Sequence, residues 1–385
     1  MKLIVNAIPF AGLETGITRY VRCLYQALGA ELGVQVGYLG YHGLQPTMPQ
    51  AADPDLWSRQ TKRFWGLPQP LIAAINATQR LRLERLLRAG CRSVQPRIYH
   101  ETDLIPPPRL PLPRVYTIHD LSLVNHRHLH PKERLWLFDL FFERRIRQVD
   151  HVITVSEFVR REIIRDLGLE PRRVTAIHEA PSARFFPRPA AEVGAMRRRM
   201  ELPEDYILFV GTQEPRKNLP LLIRALALVK QPTALVLAGW SGWGDQAWRQ
   251  LLEPLRLEQR VYTTGYVDEE TLADLYSGAR VTVYPSLYEG FGLPVLEAMA
   301  CGSPVIAARA ASLPEVAGDA AWLVDPQDPR DLAEALQGLL ADPERRRDFA
   351  EAGKKHAARF SWQRCARETL RVFERVAARK QARRS

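Results

Sequence analysis

Residues 281–302 read VTVYPSLYEGFGLPVLEAMACG. The short run of β-branched and apolar residues, Val281–Tyr284, predicts a buried strand, and the apolar positions that follow Pro294 predict a helix that begins there. Between them lies a loop with two glycines, Gly290 and Gly292. A strand, a glycine-bearing loop and a helix in this order form the unit from which parallel α/β sheets are built.

The same unit recurs on both sides of this stretch. Further strands of the second half are predicted at Tyr206–Gly211, Ala234–Gly239, Val261–Gly265 and Pro304–Ala308. Those of the first half are predicted at Leu3–Ile8, Val34–Leu39, Val115–His119, His151–Val155 and Val174–Ile177. Each half therefore predicts a parallel, doubly wound, Rossmann-like sheet with helices on both faces.

A chain of 385 residues exceeds one ordinary hydrophobic core, so we expect two domains. The N-terminal domain is predicted at 1–183 and the C-terminal domain at 184–361. The irregular stretch 180–205 is rich in Pro and Arg, and we place the hinge there. A final helix, within 362–385, either crosses back to the first domain or frays. Two lobes of this kind imply a cleft between them.

Composition narrows the class of protein. The 54 Lys and Arg residues outnumber the 43 Asp and Glu residues, and the net charge of +11 favours an anionic partner such as a nucleotide sugar, a phospholipid head group or nucleic acid. No apolar run approaches the roughly 20 residues that span a bilayer, and Met1–Pro9 is typical of a buried strand rather than a secretion signal. We therefore expect a cytoplasmic protein. The four cysteines form no C-x-x-C pair, so no zinc site or disulfide framework is predicted.

Glu289 and Glu297 lie eight residues apart, one before the loop glycines and one on the predicted helix. The start of that helix presents free N–H groups and roughly half a positive charge, which suits a diphosphate. Gly290 and Gly292 let the backbone approach a ligand closely. One carboxylate can then meet sugar hydroxyls while the other meets ribose hydroxyls. The alternative is that Glu289 is a turn residue and Glu297 a partner of the helix dipole.

A second candidate loop follows the strand that ends at Gly211. It contains Arg216 and Lys217, and Asn218 is a plausible N-cap for the next helix. Against a pyrophosphate, each charge-assisted contact contributes on the order of 1.5–3 kcal/mol. Two such cations and a helix dipole can stabilise a departing nucleoside diphosphate without a metal, so we expect no metal and no other cofactor.

In combination these motifs resemble the retaining glycosyltransferases of family four, known as glycosyl transferases group 1, which have the GT-B fold. The E-x7-E signature stands as Glu289 and Glu297, the R-K pair as Arg216 and Lys217, and the match covers Tyr206–Phe373. The resemblance implies two Rossmann-like domains that face each other across a cleft. It also implies that the C-terminal domain binds a nucleotide-sugar donor.

The resemblance assigns a role to each residue of that site. Glu297 would bind the ribose, Arg216 and Lys217 the phosphates, and Glu289 the transferred sugar. The implied donor-binding residues are Gly211, Arg216, Lys217, Gly290, Phe291, Gly292, Leu293 and Glu297. Backbone contacts to the base are expected around Gly239–Gly244 and Gly265–Val267, with Gly239, Tyr266 and Val267 as the candidates.

In the N-terminal domain, His119 and Asp120 follow the strand Val115–His119 and are similar to the His-Asp pair of many such enzymes. Transfer with retention is described in this family as front-face attack, so His119 would orient and stabilise the sugar rather than act as a nucleophile. The alternative is a structural histidine. Gly12 and Gly16 either belong to a loop over donor and acceptor or are ordinary turn glycines.

Three other features of the sequence are less informative about function. Asp53-Pro54-Asp55 matches a metal-binding D-x-D, but it lies in a proline-rich stretch and we interpret it as a coincidence. The helix predicted within Lys132–Arg147 is basic and aromatic, which suits an anionic bilayer and a lipid-linked acceptor. Its apolar arc is wide, however, so we favour a helix packed on the core with a solvated edge. The prolines of Ile105–Pro113 predict a surface loop.

The sequence thus predicts a glycosyltransferase that moves a sugar onto a hydroxyl of a glycan or a lipid-linked acceptor in bacterial surface polysaccharide synthesis. The first choice of donor is GDP-mannose and the second a UDP-sugar. Peripheral contact with the inner face of the cell membrane is open, and no nucleic-acid signature is present. The alternatives are a nucleotide-sugar epimerase, a phosphorylase, or a non-catalytic protein that binds anions.

Overall fold

The computed structural model describes residues 1–12, 14–52, 69–130, 132–241 and 247–382. Internal contacts divide the chain into two compact units. Unit 1 comprises Met1–Glu179 and the segment from Trp362 onward, and unit 2 comprises Ala180–Ser361. The unit boundary thus lies four residues before the predicted domain boundary, and the C-terminal helix belongs to unit 1.

Unit 1 contains a seven-stranded sheet in the order β3-β2-β1-β4-β5-β6-β7. Its strands are β1 (Lys2–Asn6), β2 (Gln35–Gly40), β3 (Gly43–Gln45), β4 (Ile98–Glu101), β5 (Arg114–Ile118), β6 (His151–Thr154) and β7 (Val174–Ala176). Every neighbouring pair is parallel except β2 and β3, which form an antiparallel hairpin at the edge.

Unit 2 contains a six-stranded, wholly parallel sheet in the order β10-β9-β8-β11-β12-β13. Its strands are β8 (Tyr206–Val210), β9 (Ala234–Ala238), β10 (Val261–Gly265), β11 (Val281–Tyr284), β12 (Val305–Ala308) and β13 (Trp322–Val324). The strand order reverses between β8 and β11. In open parallel sheets the carboxyl end of such a pair is where ligands bind, because the two loops there diverge.

Helices flank both sheets. In unit 1 they are α1 (Gly16–Leu32), α2 (Gln69–Val94), α3 (Ser122–Asn125), α4 (Lys132–Ile146) and α5 (Glu157–Leu167). Unit 2 contributes α6 (Ala190–Arg199), α7 (Leu219–Leu228), α8 (Ala247–Gln250), α9 (Glu269–Gly278), α10 (Leu293–Ala300), α11 (Leu313–Ala317), α12 (Pro329–Ala341) and α13 (Pro343–Ala357). The last helix, α14 (Trp362–Ala382), packs on α1 in unit 1. In the described part of the chain, no helix is long and apolar enough to span a bilayer.

The predicted strands are present, with ends that differ by a residue or two. The sequence analysis missed β3, β4 and β13. It also missed α2, whose charged and apolar residues alternate without a clear stripe. The D-x-D at Asp53–Asp55 lies outside the described residues.

The prediction of a surface loop at Ile105–Pro113 was wrong. The segment is irregular, but most of it is buried, including Pro106 and Leu110. Burial is tolerated because prolines have no N–H to satisfy and because the Arg80 guanidinium donates to the carbonyls of Ile105 (3.2 Å) and Pro106 (3.3 Å).

A close backbone approach in unit 2 yields a stability prediction. Gly239 has a φ of +133°, and a Cβ built on it would lie 2.3 Å from the carbonyl oxygen of Gly211. We expect Gly239→Ala to destabilise unit 2 by about 2–4 kcal/mol, since both strain and overlap with backbone must be relieved. The measurement is the urea midpoint, followed by circular dichroism.

The matched control is Gly29→Ala. Gly29 lies on α1, and a Cβ there meets nothing within 4 Å. Because alanine is the better helix former, this variant should gain about 0.5–1 kcal/mol. Equal midpoints for Gly239→Ala and the unaltered protein would contradict the proposed overlap.

Candidate active site

The polar residues of unit 2 converge at the carboxyl ends of β8 and β11. These two strands are parallel neighbours, so the loops that follow them leave the sheet at the same edge. The first loop contains a short 3-10 turn, Pro215–Lys217, and the second contains Glu289. Backbone bonding joins the loops directly, since the Leu287 N–H donates to the Arg216 carbonyl at 2.8 Å.

The carboxylate of Glu289 is bound by both predicted cations. The Lys217 ammonium donates to Oε1 at 2.6 Å and to the Tyr284 hydroxyl at 2.7 Å. The Arg216 guanidinium donates to Oε2 at 3.0 Å and also forms an ion pair with Glu214. The structure therefore brings three of the predicted catalytic residues together, and it adds Tyr284 and Glu214, which the sequence analysis had missed.

Glu289, Lys217 and Tyr284 are buried, and this burial shifts the pKa values of the cluster. Burial alone would raise the pKa of Glu289, but Lys217 and Arg216 outweigh it and lower the pKa of that carboxyl below its usual range. Burial and the Glu289 charge together raise the pKa of the Tyr284 phenol well above its usual value. Glu289 is thus held as a carboxylate and Tyr284 as a neutral hydroxyl.

The glycine-bearing loop is fixed by hydrogen bonds of its backbone. The Ser312 hydroxyl lies within bonding distance of the carbonyls of Glu289 (2.9 Å) and Phe291 (2.8 Å). Gly292, with a φ of +112°, is the N-cap of α10, which begins at Leu293. These hydrogen bonds and the conformation of Gly292 fix the path of the loop into the start of α10. The sequence offered a signal for Ser312 only in its position directly before Leu313-Pro314-Glu315, which begins α11.

Asn218 corrects one expectation. It occupies the N-cap position of α7 with a φ of +57°, but its side chain makes no capping bond. The amide instead donates to the carbonyls of Pro285 (3.2 Å) and Pro326 (2.8 Å). Asn218 therefore ties the loop after β8 to the loop after β11.

Glu297 lies on α10 and none of its surface is exposed. Its Oε2 accepts a hydrogen bond from the Tyr276 hydroxyl on α9 at 3.2 Å. The ribose contact implied by the family resemblance stays a prediction. A ribose can reach this carboxylate only if the side chain moves, because the residue is enclosed in this structure.

Three glycines end adjacent strands of unit 2 with positive φ. Gly211, Gly239 and Gly265 have φ values of +147°, +133° and +70°. The Gly211 N–H donates to Ala238, and the Gly239 N–H to the Gly265 carbonyl at 2.8 Å. Glycine leaves no side chain of its own at these three strand ends, so a ligand could approach their backbone closely. Tyr266 and Val267 follow directly and are half-buried, whereas residues 242–246 lie outside the described part.

In unit 1, His119 follows β5 with its side chain 18% exposed. Its Nδ1 lies 3.3 Å from the buried Glu179 carboxylate, and the Tyr20 ring meets the imidazole edge-on with centroids 4.9 Å apart. Among the described residues, Nε2 has no hydrogen-bond partner. Glu179, which the sequence analysis missed, therefore orients the ring, and the predicted role of His119 toward the sugar stays a prediction.

The other predicted residues of unit 1 have local partners. Asp120 accepts bonds from the Ser122 N–H (2.9 Å) and hydroxyl (2.6 Å), so it supports the start of α3. Gly16 begins α1, and the carbonyl of Gly12 accepts from the Ala52 N–H at 3.0 Å. Their predicted place over the ligands is not tested by these contacts. No group of three or more potential metal ligands occurs among the described side chains.

Two protein families match the two halves of the chain. The family described as Glycosyltransferase Family 4 matches residues 15–180, and the family described as Glycosyl transferases group 1 matches residues 197–356. The O-antigen chain mannosyltransferase B of Escherichia coli is 34% identical over 384 residues, which cover 97% of this chain and 100% of that protein.

Solved structures resemble the whole chain. A sucrose-phosphate synthase from Thermosynechococcus elongatus superposes with a TM-score of 0.76 at 24% identity and covers 98% of this chain, with 99% of its own chain matched. Anabaena HepE, in complex with UDP-glucose, has a TM-score of 0.72 at 17% identity, with 97% and 99% covered. These likenesses establish the GT-B fold of the glycosyltransferases.

The chain belongs to glycosyltransferase family 4. It is a glycosyltransferase rather than the epimerase, the phosphorylase or the non-catalytic protein that the sequence analysis left open.

The ionised Glu289 makes the stability of unit 2 depend on pH. A carboxyl whose pKa is lowered in the folded state stabilises the fold above its unfolded pKa, about 4.5, and this contribution is lost as pH falls through the lower, folded value. We expect the protein to be more stable than Glu289→Gln at neutral pH and the difference to narrow on acidification. Urea unfolding at a series of pH values measures this, and a constant difference would contradict it.

The contact between His119 and Glu179 predicts that two substitutions of Glu179 differ in their effect on kcat. We expect Glu179→Ala to lower kcat roughly tenfold or more, since the imidazole loses the group that orients it. Glu179→Gln keeps an acceptor of the same shape and should recover much of the rate. Both are compared with His119→Ala in a sugar-transfer assay with pH profiles. If His119→Ala is impaired and Glu179→Ala is not, Glu179 does not position the ring.

Proposed function

We propose that this glycosyltransferase transfers mannose from GDP-mannose, with a UDP-sugar as the second choice of donor, onto a hydroxyl of a glycan or a lipid-linked acceptor. The product would belong to a bacterial surface polysaccharide such as O-antigen. The support is the similarity over the whole chain to an O-antigen chain mannosyltransferase, because partial matches would leave one domain unaccounted for.

The observation that carries the chemistry is the cluster of the buried Lys217 and Glu289 with the half-buried Arg216. We propose that the two cations stabilise the diphosphate as it departs, while Glu289 receives the hydroxyls of the transferred sugar. In a buried site such charges act more strongly than in water and are already in place before the reaction. The ion pairs with Glu289 hold the two cationic side chains in position until the donor diphosphate also forms ion pairs with them.

We propose transfer with retained anomeric configuration. The bond from the anomeric carbon to the donor phosphate oxygen breaks, and the acceptor oxygen bonds to the same face of that carbon. The acceptor proton passes to the departing phosphate, so no enzyme nucleophile is needed. His119 contributes by binding the sugar through Nε2, and its Nδ1 partner, Glu179, fixes its tautomer.

We further propose that no metal is required. The positive charge that stabilises the departing diphosphate would come from Arg216, Lys217 and the N-terminus of α10. The donor would be held by Gly211, by the backbone of residues 290–293 and by Glu297. The enzyme would act in the cytoplasm, in peripheral contact with an anionic membrane that presents the lipid-linked acceptor.

The test is a transfer assay with GDP-mannose, UDP-glucose and other nucleotide sugars, each with and without acceptor, and with EDTA in a parallel arm. We expect transfer from GDP-mannose in the presence of EDTA, with the anomeric configuration of the product determined by NMR. Lys217→Met is expected to reduce kcat by at least about 100-fold, since one phosphate contact in the transition state is lost.

Calorimetry of nucleotide binding separates the ribose role of Glu297 from a structural one. Glu297→Gln should weaken GDP binding, while Tyr276→Phe, which removes one hydrogen bond to Glu297 and keeps the carboxylate, should not. Strict dependence on added manganese would count against the metal-free site. Transfer from UDP-sugars alone would overturn the choice of GDP-mannose.

A further inference from the structure

Helices α2 and α4 and the segment that ends at Arg109 enclose a surface groove of about 430 Å³ in unit 1. We call it the α2–α4 groove. Its lining includes the side chains of Arg88, Arg109, Leu140, Phe141, Arg144 and Arg145. None of these residues belongs to the candidate active site, and the groove lies wholly within one unit.

Positive charge in the α2–α4 groove exceeds negative charge. Its one acidic residue, Glu84, already accepts a hydrogen bond from Arg145 at 2.7 Å and lies 3.6 Å from the buried Arg80. Arg109 and Arg144 are exposed and have no ion-pair or hydrogen-bond partner for their guanidinium groups among the described residues. The groove thus presents guanidinium groups that no carboxylate of the described chain neutralises.

Helix α4 also exposes large apolar side chains at the groove. On α4, Trp136 is 54% and Leu140 63% exposed, and together with Arg144 they are spaced four residues apart on one side of the helix. The opposite side of α4 packs into the core through Phe138 and Phe142. The expected core-packed helix is therefore present, but its outer edge is apolar as well as charged.

A second exposed stripe runs along α2. Leu81 is 52% exposed, and Arg85 and Arg88 follow at four and seven residues, so all three share a face. The helices α2 and α4 pack against each other. Arginines and large apolar side chains are thus exposed together on this pair of helices.

We propose that the α2–α4 groove binds the phosphate groups of anionic lipids at a bilayer surface, with Trp136 and Leu140 entering the boundary between head groups and acyl chains. Guanidinium groups match phosphate oxygens in a bidentate manner. A soluble phosphate would account for the arginines but not for the exposed tryptophan and leucine, whereas a lipid accounts for both. The proposal rests on the membrane contact proposed above and places that contact at the α2–α4 groove.

Vesicle sedimentation tests the assignment with the full chain. We expect binding to vesicles of equal parts phosphatidylcholine and phosphatidylglycerol, weakened by salt, and little binding to phosphatidylcholine alone. Each arginine near an anionic surface strengthens binding roughly fivefold, so Arg109→Ala with Arg144→Ala should weaken it about 25-fold. Trp136→Ser with Leu140→Ser should also weaken it, although the charge is unchanged.

The matched control is Arg198→Ala with Arg347→Ala, which removes the same charge from exposed positions of unit 2 and should leave vesicle binding unchanged. Equal losses in both charge pairs would show that net charge alone draws the chain to the membrane and would overturn the groove. If glycerol phosphate in solution competes fully and the Trp136/Leu140 variant binds normally, the groove is an anion site for soluble ligands and the lipid assignment fails.

A transfer assay with a water-soluble acceptor distinguishes this inference from the proposed function. The Arg109/Arg144 variant should transfer sugar to such an acceptor at the unaltered rate and lose rate only with a vesicle-embedded acceptor. Absence of transfer by the unaltered protein would defeat the proposed function and leave the vesicle result standing. Equal rates of the variant and the unaltered protein on both acceptors would overturn the role of the groove in acceptor access.

Discussion

Lys217 and Glu289 are 72 residues apart in the chain, and their ion pair depends on β8 and β11 being neighbours in the sheet. Two buried charges of opposite sign are stable only together, because removing either leaves the other desolvated and uncompensated. The pair therefore constrains the relative position of the two loops, and Asn218 and Ser312 add to that constraint by donating hydrogen bonds to the Pro285 and Glu289 carbonyls. The ion pairs and hydrogen bonds of the chain itself therefore hold these side chains in place.

Unit 1 has its own buried polar centre. Glu101 at the end of β4 accepts hydrogen bonds from Arg80 at 3.2 Å and Tyr99 at 3.0 Å, and the same Arg80 satisfies the carbonyls of the buried proline segment. Next to it, His100 is bonded to Tyr25 at 2.6 Å, and burial lowers the pKa of His100 to about 3. The buried His100 is thus neutral at physiological pH, and the buried Glu101 is paired with Arg80.

The last helix of the chain completes this centre. Phe373 of α14 meets the His100 ring with centroids 5.2 Å apart, and Trp362 at the start of α14 packs on Tyr20, which in turn contacts His119. Residues from the two ends of the chain therefore support the histidine that we assign to the sugar. The packing around His119 thus depends in part on α14, which follows the whole of unit 2 in the sequence.

The sequence by itself determined the parallel α/β class, the predicted strands and the motif residues, because the alternation of buried runs with helices and the glycine-bearing loops are local patterns. Local pattern could not show β3, β4 or the burial of Pro106. It also could not show that Arg216 and Lys217 bind Glu289, or that Glu179 faces His119. Those contacts join residues that are distant in the chain, and only strand order and packing decide which distant residues meet.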